Sequence, residues 1–297
     1  MGREFDEQDP VKLYVPHRNP AGEVRSPLAP VGVFDSGIGG LTVVREIMRQ
    51  MPQERLVYFG DTARLPYGSK SRSTIIRYSR QIVRFLHTKG VKAIVIACNT
   101  ASSCALQTIA RESSIPVIGV IYAGAVTAVK ASRSGRIGII GTQATVSSGI
   151  YPNVIRNISP EILVFQKACP LFVPLVEAGL LHDSVTDEIA SRYLQELKGK
   201  YIDTLVLGCT HYPLIRSTIQ RIMGDEVTLV NPAYETALEL RQILEREKLL
   251  NPGTESAQDG DKYQFYVSDL AESFRDFASS ILPAEAKNAQ TIEIEEY

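Results

Sequence analysis

Cysteine is scarce in this chain: Cys98, Cys104, Cys169 and Cys209 are the four among 297 residues. No two form a CxxC pair, and Cys98 and Cys104 have no histidine close in sequence, so no metal site is expected. Long apolar runs are also missing; none approaches the roughly 20 residues a membrane span requires. Nor is there an excess of charge, since 32 basic residues face 33 acidic ones for a net charge of −1. Without a sequence-wide positive field to hold phosphate backbones, nucleic acid is not expected as the main partner. The first residues carry no apolar signal core or cleavage pattern, and Asp6 stands where a myristoylation site needs Ser or Thr. The expectation is a cytoplasmic protein with no membrane partner and with reduced cysteines, which favours catalysis or simple burial over disulfides.

What is present is a hydrophobic fraction of 44%, enough for a large core, and a length that suggests about two domains. Residues 1–30 are rich in proline and mixed charge without periodicity, and read as a disordered tail. From Val31 the chain alternates. "VGVFD" (31–35), "RLVYFGD" (55–61), "AIVIAC" (93–98) and "PVIGV" (116–120) read as strands, with helical spacing in 41–51, in 73–88 and after Cys98. The pattern restarts at "RIGIIG" (136–141), followed by a helix over "QATVSSGIYPNVIRNI". Strands at 161–168, 204–209 and 227–231 then alternate with helices in "SVTDEIASRYLQELKG" and "PLIRSTIQRIM". Beyond 231 come a helix, the strand "YQFYV", another helix and the alternating "TIEIEEY", whose acidic end reads as a charged edge strand.

Strands alternating with helices predict parallel sheets covered on both faces. Cys98 and Cys209 each end the third strand of their half, and Asp35 and Gly141 end the first strands at nearly the same interval. The expected fold class is therefore α/β: two doubly wound parallel-sheet domains related by duplication, facing each other across a cleft. The expected boundaries are 31–121 with 231–297 for the first domain and 122–230 for the second. Ligands of open parallel sheets collect at the carboxyl ends of the strands, where Asp35, Cys98, Thr142 and Cys209 fall.

The motifs narrow the chemistry. In "DSGIGGLT" (35–42) a dinucleotide GxGxxG fails because Thr42 occupies the third glycine position; a tight turn capped by Asp35 or Ser36, or a loop approached by an anion, remain. "GDTARLPYGSKS" (60–71) lacks P-loop spacing and reads as a turn, or as a loop whose Tyr67 and amides contact a small ligand. Cys104 and Cys169 read as small buried hydrophobes, and His17, His87 and His182 as surface groups. Arg72, Arg77, Arg80 and Arg84 read as a solvated helix face. A hydrolase nucleophile could use Cys209 with His211 as base, but this leaves Cys98 without a role. Two thiols at matching positions suit another reaction better. One removes a proton from one face of a carbon while the other delivers a proton to the opposite face, with Asp35 beside Cys98 and His211 beside Cys209.

"FDSGIGGLTVVREI", "YFGDTARLPYGSKS", "ACNTAS", "ACPLFVPLVEAG" and "LVLGCTHYPLI" occur in order and together resemble the bacterial glutamate racemases of the aspartate/glutamate racemase family. The resemblance implies racemisation of L- and D-glutamate without pyridoxal phosphate or any other cofactor, supplying D-glutamate for peptidoglycan. It implies that Cys98 takes the α-proton of D-glutamate and Cys209 that of L-glutamate, with Asp35, His211 and Glu177 assisting. Ser36, Tyr67, Gly68, Asn99, Thr100 and Thr210 match the family's ligand contacts, as do Thr142 and Thr145 in "GTQAT". It also implies a homodimer. The alternatives are a racemase of aspartate or another small acid, and a non-catalytic amino-acid-binding protein on the same fold. Asn231 and Pro232 depart from the Asp-Ser pair of many members.

Overall fold

The structure, a computed structural model, describes residues 25–253, 262–269, 278–279, 281–282 and 289–297. The first twenty-four residues of the expected tail, His17 among them, and most of the expected helix after "YQFYV" lie outside these. Residues 25–30, assigned to the tail by sequence, make defined contacts: the Pro30 carbonyl accepts from the Lys92 amide at 2.9 Å.

Among the described residues ten strands form two sheets, all parallel. The first sheet holds β1 (Val31–Asp35), β2 (Leu56–Gly60), β3 (Ala93–Ile96), β4 (Val117–Gly119), β9 (Tyr263–Val267) and β10 (Gln290–Thr291). Its order is β10-β9-β2-β1-β3-β4. The second holds β5 (Arg136–Gly141), β6 (Leu163–Ala168), β7 (Thr204–Gly208) and β8 (Thr228–Val230) in the order β6-β5-β7-β8. The order β2-β1-β3-β4 is thus repeated as β6-β5-β7-β8, so the duplication expected from the strand intervals is present in the topology.

The helices are α1 (Leu41–Gln50), α2 (Arg72–Thr88), α3 (Asn99–Glu112), α4 (Val120–Ala131), α5 (Gln143–Ser147), α6 (Ile150–Ile158), α7 (Phe172–Glu177), α8 (Ser184–Lys198), α9 (Arg216–Met223) and α10 (Pro232–Arg246). Strand alternation sends side chains to opposite faces of each sheet. Val31, Val33, Ala93 and Val95 join one core with α1 and α10, while Phe34, Ile94 and Ile96 join another with α2 and α3. The second sheet repeats this, with Leu205 and Leu207 on one face and Ile137, Ile139 and Val206 on the other. Burying each Val, Leu, Ile or Phe of these sets contributes roughly 1.5–3 kcal/mol, so burial of the strand faces outweighs exposed ion pairs such as Arg80–Glu112.

Three elements differ from the sequence reading. The helix expected through "QATVSSGIYPNVIRNI" breaks into α5 and α6, because Gly149 sits at φ 65° and Pro152, in the first turn of α6, has no amide to donate to a continuing helix. The end "EIEEY" is not an edge strand. Pairing stops at Gln290–Thr291, and Ile294–Glu296 forms a 3-10 turn that buries Ile294, with the Tyr297 carbonyl accepting from Arg84 Nε at 2.6 Å. Finally, α4 was not expected. Its "VIYAGAVTAVKA" is apolar all round, so it lacks the amphipathic stripe that marks a surface helix. It packs against α10, α6 and β7, and the sequence boundary at 121/122 falls inside it.

A buried ion pair anchors the base of the first sheet. Lys92 Nζ bonds Glu54 Oε2 at 2.6 Å with both side chains fully enclosed, and Glu54 Oε1 accepts from the Asn251 amide at 2.7 Å. Lys92→Met leaves that carboxylate buried without its cation. It should lower unfolding free energy by about 3–5 kcal/mol in urea titration, and a Lys92→Met/Glu54→Leu pair should recover most of the loss.

Candidate active site

The glycine turn after β1 holds an anion of its own. Asp35 Oδ2 accepts from the amides of Gly37 (3.1 Å) and Gly40 (3.0 Å), closing the turn that opens α1. Asp35 thus ties the tight turn together through the turn's own amides, while the N-cap of α1 is Gly40 and has no side-chain cap. Its other oxygen, Oδ1, is buried and has no hydrogen-bond partner. Burial raises the Asp35 pKa, partly opposed by the charge of His211 and by the glycine amides.

Cys98 follows β3 and is the N-cap of α3, where its Sγ accepts from the Ala101 amide at 3.4 Å and donates to Ser36 Oγ at 3.4 Å. The strand ends two residues before it, so the thiol stands at the helix entrance. Burial first, then the Asp35 carboxylate, push this thiol up to about 12, against the pull of Ser36 and Ala101; a charge on Cys209 raises it further. Cys209 is thus among the groups whose charge bears on Cys98, though the weakest of those named.

Cys209 follows β7 directly. Its Sγ lies 3.8 Å from His211 Nδ1, and His211 Nε2 lies 3.0 Å from Glu177 Oε1 at the end of α7. Burial alone would lower His211. The Cys209 and Glu177 partners, with the Asp35 charge, reverse this and hold it at about 10. Its two ring nitrogens face Cys209 and Glu177, partners that favour the protonated ring. Glu177 reaches it from the rim, its side chain 31% exposed.

The two halves meet through small groups. A Cβ on Gly39 would lie 2.3 Å from Thr210 Oγ1 and 2.6 Å from His211 Nδ1, so only glycine admits this contact. Thr42 Oγ1, the residue that spoils the dinucleotide motif, donates to the carbonyls of Gly39 (2.9 Å) and Thr210 (3.3 Å). Across the cleft Thr100 Oγ1 lies 2.9 Å from Thr142 Oγ1 and 3.4 Å from Thr145 Oγ1, and Gly68 packs on Thr142. Asn99 Oδ1 accepts from the Tyr151 hydroxyl of α6 at 2.8 Å. Tyr67 is almost fully buried and its hydroxyl is spent on Asp61, which also pairs with Arg64, so the side chain supports its loop. Ser36, Asn99 and the threonines are brought together, whereas Cys169 is buried beneath Tyr212, whose hydroxyl bonds its carbonyl at 3.0 Å. Cys104 is buried with the core of α3, and His87 and His182 are exposed.

Sequence reasoning missed Thr42, Asp61 and Tyr151. Thr42 was noticed only as a motif failure, and a tyrosine before a proline carries no signal of a polar contact. Asn231, which departs from the family pattern, caps α10 by accepting from the Ala233 amide at 3.1 Å, and Pro232 is buried against Gly124. Among the described residues no three His, Cys, Asp or Glu side chains group as a metal site needs, and no helix is long and apolar enough to cross a membrane.

Two outcomes follow from this geometry. Gly39→Ala forces Thr210 and His211 apart; a displacement near 1 Å should cost about 10²-fold in turnover, with thermal stability as the control. Because His211 is held above its unfolded value of about 6.5, its contribution to stability is complete below that pH and is lost as pH rises through about 10. Unfolding free energy measured across this window should fall with pH in the wild type and should be flatter in His211→Asn.

Residues 33–239 match the Asp/Glu/hydantoin racemase family. The glutamate racemase of Geobacter metallireducens is 48% identical over 248 residues, 84% of this chain and 90% of that one. That of Chlorobaculum tepidum is 46% identical over 265 residues, 89% and 96% of the two chains. Among solved structures, Francisella tularensis glutamate racemase in complex with D-glutamate superposes with TM-score 0.84 at 39% identity, covering 91% of this chain and all of that one. The Picrophilus torridus aspartate racemase, at 18% identity and TM-score 0.52, shares the fold alone. With a family match over most of its length and relatives near half identical, this chain belongs to the Asp/Glu/hydantoin racemase family.

Proposed function

We propose that this protein interconverts L- and D-glutamate by exchanging the α-proton between Cys98 and Cys209, supplying D-glutamate for peptidoglycan. The observation that carries the reading is the pair of buried thiols at equivalent places in the repeated β2-β1-β3-β4 and β6-β5-β7-β8 orders, in halves that meet where Gly39 abuts Thr210 and His211. One thiolate takes the hydrogen from Cα and becomes a thiol. The carbanion left on Cα takes a proton from the other thiol, which becomes the thiolate. Configuration inverts, no group is lost, and the enzyme is left with its two protonation states exchanged. As the family resemblance implies, Cys209 receives the proton of L-glutamate and Cys98 that of D-glutamate.

The surrounding residues supply what each half-step needs. The substrate ammonium gives the buried Asp35 Oδ1 a partner and lessens the Asp35 repulsion that adds to burial in raising Cys98. The His211 imidazolium, supported by Glu177, offsets negative charge at Cys209. Ser36, Asn99, Thr100, Thr142, Thr145 and Thr210, with the backbone at Tyr67 and Gly68, hold the two carboxylates. The aspartate reading is not favoured, since the aspartate racemases among the structural neighbours are far more distant than the glutamate racemases. By the same resemblance we take the protein to act in the cytoplasm as a homodimer of the two-domain chain, 31–121 with 231–297 packed as one domain and 122–230 as the other.

The purified protein, incubated with L- or D-glutamate and no added pyridoxal phosphate, should bring optical rotation to zero from either side. Cys98→Ser and Cys209→Ser should each lower the rate by roughly 10²–10⁴-fold, the range for loss of a general acid or base. Full activity in either variant would exclude the two-thiol assignment.

A further inference from the structure

Asn99 and Tyr151 meet from opposite halves of the molecule. Asn99 opens α3, one residue after Cys98, and Tyr151 lies in α6, on the second sheet. The tyrosine is fully enclosed. A Cβ on Gly208, the residue before Cys209, would come within 3.4 Å of its ring, and one on Gly124 within 3.5 Å of its hydroxyl. Burial, and then the Cys209 charge, raise its pKa, so the phenol keeps its proton and must place it. The acceptor it finds is Asn99 Oδ1 at 2.8 Å.

That bond decides which way the amide faces. With Oδ1 taken by the phenol, the two N–H donors of Asn99 are left over. They bond no described side chain or backbone group, yet Nδ2 is not among the buried atoms sealed from solvent without a partner, so it opens toward the cleft. The reversed amide would leave the buried phenol proton without an acceptor and would turn a carbonyl oxygen toward an anionic substrate.

We infer that Tyr151 is a positioning residue: it locks the Asn99 amide with its donors facing the cleft, so that a carboxylate-binding group on the Cys98 side is oriented by the half that carries Cys209. The inference rests on the glutamate reading above. The donor pair is complete only when both halves are together, which ties carboxylate recognition to the same closed arrangement that brings the two thiols into one site. Tyr151 itself touches neither substrate nor the reacting carbon; its effect passes through Asn99.

A double-mutant cycle tests this, with KM and kcat for both enantiomers and, separately, the Kd of D-glutamate measured by calorimetry. Tyr151→Phe keeps the ring and its packing but frees the amide. It should raise KM in both directions and Kd by about 10-fold, with kcat changed less than about 2-fold. In an Asn99→Ala background the same change should alter Kd by less than about 2-fold, because the group it positions is gone. Equal losses in the two backgrounds, or a fall in kcat at unchanged KM, would overturn the proposal, since a merely structural tyrosine gives those results. Thermal melting of each variant identifies a folding defect, and Tyr151→Phe that melts like the wild type while binding equally well also overturns it. If the wild type binds glutamate without racemising it, the Kd cycle still decides the role of Tyr151, and only the catalytic reading falls. If it neither binds nor racemises glutamate, both fall together.

Discussion

Four ionisable side chains, Asp35, Cys98, Cys209 and His211, are buried within one cleft, and burial makes every charge there costly. The Cys209 and Glu177 partners favour the protonated form of His211, while burial and the Asp35 carboxylate favour the thiol form of Cys98. This asymmetry is the physical content of the site. Two unperturbed thiols in the same place would both be weak bases, whereas here one side has an imidazolium at hand and the other a carboxylate. Substrate entry changes the balance, because an ammonium meets Asp35 and two carboxylates meet the hydroxyl and amide donors opposite.

The fold is what makes such a cluster affordable. Each thiol sits at the carboxyl end of a parallel strand, where helix N-termini point and where backbone amides are free to accept negative charge. Cys98 uses that position directly as the cap of α3. The halves are held in register by contacts too short for ordinary side chains: the bare backbone of Gly39 against His211, the Thr42 hydroxyl on the Thr210 carbonyl, and the threonine group of Thr100, Thr142 and Thr145. A larger residue at Gly39 would push Thr210 and His211 away and shift one half against the other.

The strand alternation, the repeated order and the two strand-end cysteines were legible in the sequence because each has a local signal: a short apolar run, a polar group at its end, a second copy at the same interval. What was not legible lacks such a signal. The helix α4 is apolar nearly all round, with partly buried residues such as Val126 and Val129 beside its buried ones, so periodicity cannot report it. The break at Gly149 looks like helix continuation until the glycine's φ is known. Tyr67 reads as a ligand contact, yet its hydroxyl belongs to Asp61, and Tyr151 reads as core, yet its hydroxyl belongs to Asn99. Cross-half contacts of this kind join residues far apart in the chain, and only the packed structure says which buried phenol faces which acceptor.

The account's central claim is that two different groups serve the two faces of Cα. It is tested most directly by running the reaction from L-glutamate in deuterated water and stopping it after a small fraction has turned over. Isotope at the α-carbon is then measured separately in product and in recovered substrate. Two thiols with distinct protons predict D-glutamate that carries deuterium beside L-glutamate that has kept its hydrogen. Deuterium appearing in recovered L-glutamate as fast as in product would mean that one group serves both faces, and would contradict the account.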